Sequence, residues 1–111
     1  MANTFKNAQS IGVGTSEVSA YTAPSSTTTT VVGFSCANTT TTSPIKVSIR
    51  LYDSSADTHA YVVKNAEIFE GGSLVAVGGD QKLVLETADI LKVVSDSGNS
   101  IDVIVSYMEQ T

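Results

Sequence analysis

The chain has little with which to do chemistry. Its 111 residues include one cysteine, one histidine, two prolines and no tryptophan. A lone Cys36 excludes an intramolecular disulfide framework and fits synthesis in a reducing compartment. A lone His59 removes the commonest general acid–base and metal-ligand side chain from all but one position. Charge is also scarce: Asp, Glu, Lys and Arg make up 15% of the residues, against about a quarter in typical soluble domains. The six basic residues, Lys6, Lys46, Arg50, Lys64, Lys82 and Lys92, are scattered singly within a net charge of −5. Neutralising successive phosphates or an anionic bilayer needs clustered cations, so neither nucleic acid nor a membrane surface is an expected partner. No apolar run approaches the ~20 residues that span a bilayer. The opening Met1 to Lys6 has no apolar core, so no secretory leader is expected.

What is present is β-branched and uncharged. Thr27–Thr30 and Thr39–Thr42 flank the apolar stretch Val31 to Cys36. Hydrophobic residues reach 41%, enough for a core and unlike a disordered chain. Length and composition predict one domain over residues 1–111, able to bury roughly two-thirds of its unfolded surface without staples.

Period-2 alternation dominates, as in half-buried strands. Val47, Ile49 and Leu51 share one face of the segment from Ile45 to Tyr52. Val103, Val105 and Tyr107 continue the stripe begun by Ile101, against Asp102, Ile104, Ser106 and Met108 on the other face. Leu83 with Leu85, Leu91 with Val93, and Val32 with Phe34 and Cys36 form further stripes, and Val18, Ala20 and Thr22 a weaker one. Turn residues separate these runs: Ala23 to Ser26, Asn38 to Pro44, Asp53 to Asp57, Glu70 to Ser73, Val77 to Asp80, Thr87 to Asp89 and Asp96 to Asn99. Thr87 to Val94 also shows helical spacing through Ala88, Leu91 and Val94, but it is short and β-branched, so a strand is preferred. The expected fold is all-β: an antiparallel β-sandwich of about eight strands, jelly-roll-like or immunoglobulin-like. Its core is expected to hold Val32, Phe34, Cys36, Val47, Ile49, Leu51, Leu83, Leu85, Leu91, Val93, Val103 and Val105.

Each candidate for chemistry has a plainer reading that fits better. Asp53 and Asp57 precede His59 without the Asp-x-Asp-x-Asp-Gly spacing of an EF-hand, so a hairpin turn is expected rather than a calcium loop. No Gly-x-Ser-x-Gly nucleophile elbow occurs. Cys36 falls in phase with core positions, where a thiol is an inert small hydrophobe. Gly71-Gly72 and Gly78-Gly79-Asp80 lack the Gly-Lys-Ser/Thr ending of a phosphate loop and read as tight turns. Asn38-Thr39-Thr40 matches a glycosylation sequon by coincidence of composition. Tyr21, Tyr52, Tyr61 and Tyr107 are candidates for a sugar-binding face, though rim packing is the commoner use. No catalytic, cofactor or metal residues are assigned, and no enzymatic activity is expected.

The chain resembles small virion structural proteins of tailed phages, particularly those of cyanobacterial viruses. The resemblance lies in the opening Met-Ala-Asn-Thr-Phe-Lys-Asn, in Val13-Gly14-Thr15 followed by Tyr21-Thr22-Ala23-Pro24, and in the run Gly78 to Glu86. It continues through the Ala88-Asp89 turn and Ile101 to Glu109. Similar proteins often have Gly where Ala88 stands, which implies a slightly different backbone at this turn. The resemblance implies a β-sandwich accessory subunit on the capsid surface (decoration or cement) or on the neck or tail of a virion made in the host cytoplasm. Its partners would be copies of itself and a major virion protein. A carbohydrate- or receptor-binding module of a tail fibre or baseplate is the alternative. Exposed strand edges and the threonine tracts are the expected contacts, and Lys at Thr29 and Thr41 is expected to weaken assembly without disturbing the fold.

Overall fold

The computed structural model describes residues 2–41, 43–78 and 81–111. The turn expected at Gly78-Gly79-Asp80 lies partly outside them, as does Thr42. Nine strands follow one another: β1 (Asn3–Val13), β2 (Val18–Thr22), β3 (Thr28–Asn38), β4 (Ile45–Asp53), β5 (Thr58–Ile68), β6 (Ser73–Val77), β7 (Leu83–Leu85), β8 (Ile90–Ser95) and β9 (Ile101–Gln110). They form two antiparallel sheets. The front sheet runs β1-β9-β3-β6, with β7 also paired to β3, and the back sheet runs β2-β8-β4-β5. The chain therefore crosses between sheets at almost every connection, with only β4–β5 and β6–β7 staying within one. That interleaving is a jelly roll, not the immunoglobulin order.

The inner faces of the two sheets make the core. Phe34, Ile45, Ile49, Leu85, Leu91 and Ile101 are fully enclosed, with Val31, Val47, Val77, Val93, Val103 and Val105 between them. Burying each such side chain stabilises the fold by ~1.5–3 kcal/mol. Cys36 lies in the same layer, fully buried, where desolvation pushes its thiol pKa up to about 12. The stripes expected in β4, β8 and β9 are present in the expected phase.

Four expectations are corrected, two of them at register slips. The register of β3 against β9 slips between Val31 and Gly33, because a bulge inserts one extra residue and reverses the alternation. Val31 is therefore buried and Val32 only half-buried. A second slip between Ser19 and Tyr21 buries Ala20 and Tyr21 in succession and leaves Thr22 exposed. Leu51 and Leu83, near strand ends, are half-buried. Thr29 is fully buried, so lysine there would disrupt the fold rather than spare it.

The ninth strand is β1, which alternation did not reveal because its side chains are mostly exposed. It bulges near its end, where Gly12 adopts φ 67° and donates its N–H to the Asp102 carboxylate at 2.9 Å. A side chain at Gly12 would run into that of Asn99. The stretch with helical spacing is instead a turn followed by β8. Asp89, buried, closes that turn: its carboxylate accepts from Glu86 N at 3.0 Å, Ser54 N at 3.0 Å and the Ser54 hydroxyl at 3.3 Å. Ala88 sits at φ 70°. The turn thus takes the left-handed conformation that glycine adopts freely, and here alanine carries the strain.

Candidate functional site

The segments that sequence singled out for chemistry are used in structure. Asp53 Oδ1 accepts from Ser55 N, Ser55 Oγ and Ala56 N at 3.1, 2.8 and 3.4 Å. These bonds, the Ser55 hydroxyl foremost, hold its carboxyl below the usual carboxylate range while forming an Asx turn. Asp57 accepts from the Tyr52 hydroxyl at 2.9 Å. His59 lies exposed at the start of β5, its ring 4.8 Å from that of Tyr52. Among the described residues, no three of His, Cys, Asp and Glu gather where they could hold a metal ion. Asn38, of the sequon, is buried: its Nδ2 donates to Ser43 O and Ile68 O, and its Oδ1 accepts from Thr40 N and Thr40 Oγ1. Its amide is fully engaged in pinning the β3–β4 connection.

The four tyrosines do not share a face. Tyr21 and Tyr107 are buried with ring centroids 4.2 Å apart, and only Tyr52 and Tyr61 reach the outside of the back sheet. The Lys92 ammonium stands 5.3 Å from the centroid of Tyr52, and that of Lys64 stands 5.1 Å from Tyr61. Each of these rings thus has a cation over one face. Arg50 completes this side, holding Glu17 through two hydrogen bonds of 3.0 and 2.7 Å. That pairing lowers the Glu17 pKa and raises that of Arg50.

The outer face of the front sheet is different in kind. Register places Phe5, Met108, Thr30 and Val84 in one row across β1, β9, β3 and β7. A second row holds Gln9, Ile104, Ser35 and Val75 across β1, β9, β3 and β6. Between the rows lie Asn7, Ser106 and Gly33. On these strands the outward side chains include one charge, Asp102, whose Oδ1 is occupied by Gly12 N. Phe5 is 74% exposed, Ile11 73%, Val75 67%, Val84 57% and Ile104 46%. Five of the seven large hydrophobics exposed among the described residues therefore lie on the front sheet, with only Tyr61 and Phe69 elsewhere. Exposed apolar side chains gathered on one face among neutral polar ones such as Asn7, Thr30 and Ser106 form the kind of surface that partners cover. The sequence carried one sign of it: Ile104 and Met108 sit on the otherwise polar stripe of β9. Phe5, Val75 and Val84 come together only through the pairing of distant strands.

At one end of the sandwich a polar chain ties the two sheets. The Tyr21 hydroxyl donates to Glu109 Oε2 at 2.6 Å and lies 2.8 Å from Thr29 Oγ1, while Lys6 Nζ meets Glu109 Oε1 at 3.2 Å. With the single phenolic proton given to the carboxylate, Thr29 is the donor to Tyr21. Burial, then the Glu109 contact, raises the Tyr21 pKa, and the Tyr21 hydrogen bond lowers that of Glu109.

No protein-family model and no curated protein matches the chain. Among solved structures, a chain from the disulfide-linked pili of Bacillus endospore appendages is similar at TM-score 0.58 and 13% identity, over 99% of this chain and 87% of that one. A chain from infectious bursal disease virus, Gx strain, is similar at TM-score 0.50 and 12% identity, over 97% of this chain. This chain spans only 30% of that viral chain. At such identities the likeness is one of fold.

Proposed function

We propose that the protein is a non-enzymatic structural subunit, one domain over residues 1–111, that works by packing against copies of itself. The observation that carries this reading is the outer face of the front sheet, which gathers five of the seven exposed large hydrophobics and carries one charge, Asp102. In water such a surface is stabilised by being covered, and an uncharged cover meets no desolvation penalty from buried ions. The two similar structures come from a pilus and a virus, assemblies of many copies, and they support the same reading. The disulfide linkage of the pilus does not carry over, because the one cysteine here is enclosed in the core. The finer proposal, from the resemblance of the sequence to tailed-phage virion proteins, is an accessory subunit on the capsid surface or on the neck or tail, contacting copies of itself and a major virion protein.

The test is to place charge on the face without touching the core. Ile104→Lys with Val75→Lys alters two outward residues of one row. The double variant is expected to fold as the native chain does and to lose self-association or particle binding. Assembly at the native level would contradict the reading.

A further inference from the structure

A sheet face can be covered by many things, but a sheet edge selects a strand. The four edges of this sandwich are unequal. On the back sheet, β2 is five residues long with a register slip, and β5 is set against irregularities at Val47, Ile49 and Arg50, with Asn65 at φ 54°. On the front sheet, the edge opposite β1 is divided between β6, of five residues, and β7, of three. Short or bulged edges are poor templates for pairing. The exception is β1, which pairs with β9 without interruption from Asn3 to Ser10.

The orientation of its backbone follows from one bond. Thr111 N donates to Ala2 O at 3.1 Å, so Ala2 and Thr111 are a hydrogen-bonded pair. Such pairs alternate along an antiparallel ladder. Thr4, Lys6, Ala8 and Ser10 therefore turn their backbone groups towards β9, while Asn3, Phe5, Asn7 and Gln9 turn theirs to the open side. The side chains beside this edge do not repel a strand. Asn3, Thr4, Phe5, Asn7 and Gln9 are uncharged, and the one charge, Lys6, is held by Glu109.

We infer that β1 pairs antiparallel with β1 of a second copy, joining two front sheets into one continuous sheet. This rests on the reading of the protein as a self-packing subunit and names the contact. A second copy is the occupant because, among the described residues, only β1 itself presents an edge of matching length and regularity. Pairing about Asn7 uses Phe5, Asn7 and Gln9 of each copy, with about six backbone hydrogen bonds, and sets Lys6 against Ala8 rather than against another Lys6. The two-fold contact is isologous and closed. It also doubles the outer face, setting Phe5 of each copy beside Gln9 of the other.

Asn7→Pro tests this, because proline removes an N–H that points away from β9 and so leaves the internal ladder whole. The readouts on the full chain are sedimentation mass against concentration and amide hydrogen exchange, with circular dichroism to confirm the fold. The native chain is expected to dimerise, with the Phe5, Asn7 and Gln9 amides slowing as concentration rises. The proline variant is expected to keep its β-spectrum and to weaken dimerisation at least tenfold. If native and variant chains associate equally, with the Phe5 and Gln9 amides exchanging fast in both, the edge pairing is overturned and the self-packing reading stands on other surfaces. A native chain that stays monomeric at millimolar concentration, with the same amides unprotected, overturns both.

Discussion

Tyr21→Phe removes one oxygen atom from the link between the sheets and leaves the ring in place against Tyr107. Two consequences follow. The hydrogen bond to the Glu109 carboxylate, 2.6 Å long, is lost, and a bond to a charged group contributes about 1.5–3 kcal/mol. The Thr29 hydroxyl, fully buried, also loses its acceptor, so the total falls at or above the middle of that range, about 2–3 kcal/mol. In a domain of this size that corresponds to a melting temperature lower by roughly 10 °C. The pH dependence fixes the mechanism. Glu109 has its folded pKa depressed below the ordinary 4.5, so its contribution is present above that value and lost as pH falls through the folded pKa. Tyr21 has its folded pKa raised above the ordinary 10.0, so its contribution is present below pH 10 and lost as pH rises through the folded value. The gap between native and Tyr21→Phe is therefore expected at full size from about pH 5 to 9 and smaller at about pH 3, below the ordinary 4.5, where the contribution of the depressed Glu109 pKa falls away. Thermal denaturation at both pH values measures it. A gap under about 2 °C at pH 7, or one unchanged at pH 3, would refute the reasoning.

Other perturbations test separate parts of the structure. Ile49→Ala or Leu85→Ala, each opening a cavity in a fully enclosed site, is expected to cost about 2–5 kcal/mol in urea denaturation. Ala88→Gly is expected to stabilise the fold by about 1 kcal/mol, relieving the left-handed alanine at φ 70° against the extra entropy of glycine in the unfolded chain. Thr29→Lys should fail to give a folded protein, whereas Thr41→Lys, at an exposed site, should melt within about 2 °C of native.

The strands legible in the sequence were those with one face in the core. In β4, β8 and β9 the side-chain period of the strand and the burial pattern agree, so Val47, Ile49, Leu91, Val93, Val103 and Val105 could be placed directly. The misplacements at Val32, Tyr21 and Thr22 arise at bulges, where one added residue reverses the phase without any change in composition. Strand β1 left no stripe because it is an edge whose residues before Val13 are exposed or half-buried. Thr29 read as surface because threonine is polar, yet its hydroxyl is satisfied by Tyr21, eight residues away and in the other sheet. The front-sheet surface is the extreme case: its apolar residues come from β1, β6, β7 and β9, and only topology makes them neighbours.

Whether repeated copies cover the outer face of the front sheet is read most directly by cryo-electron microscopy of the intact assembly that contains this chain. Many symmetry-related copies are expected, with Phe5, Ile104 and Val75 enclosed between chains and the Arg50–Lys92 side of the back sheet turned to solvent or to a polar neighbour. A particle in which the chain occurs as isolated single copies, with Ile104 and Val75 open to water, would contradict it.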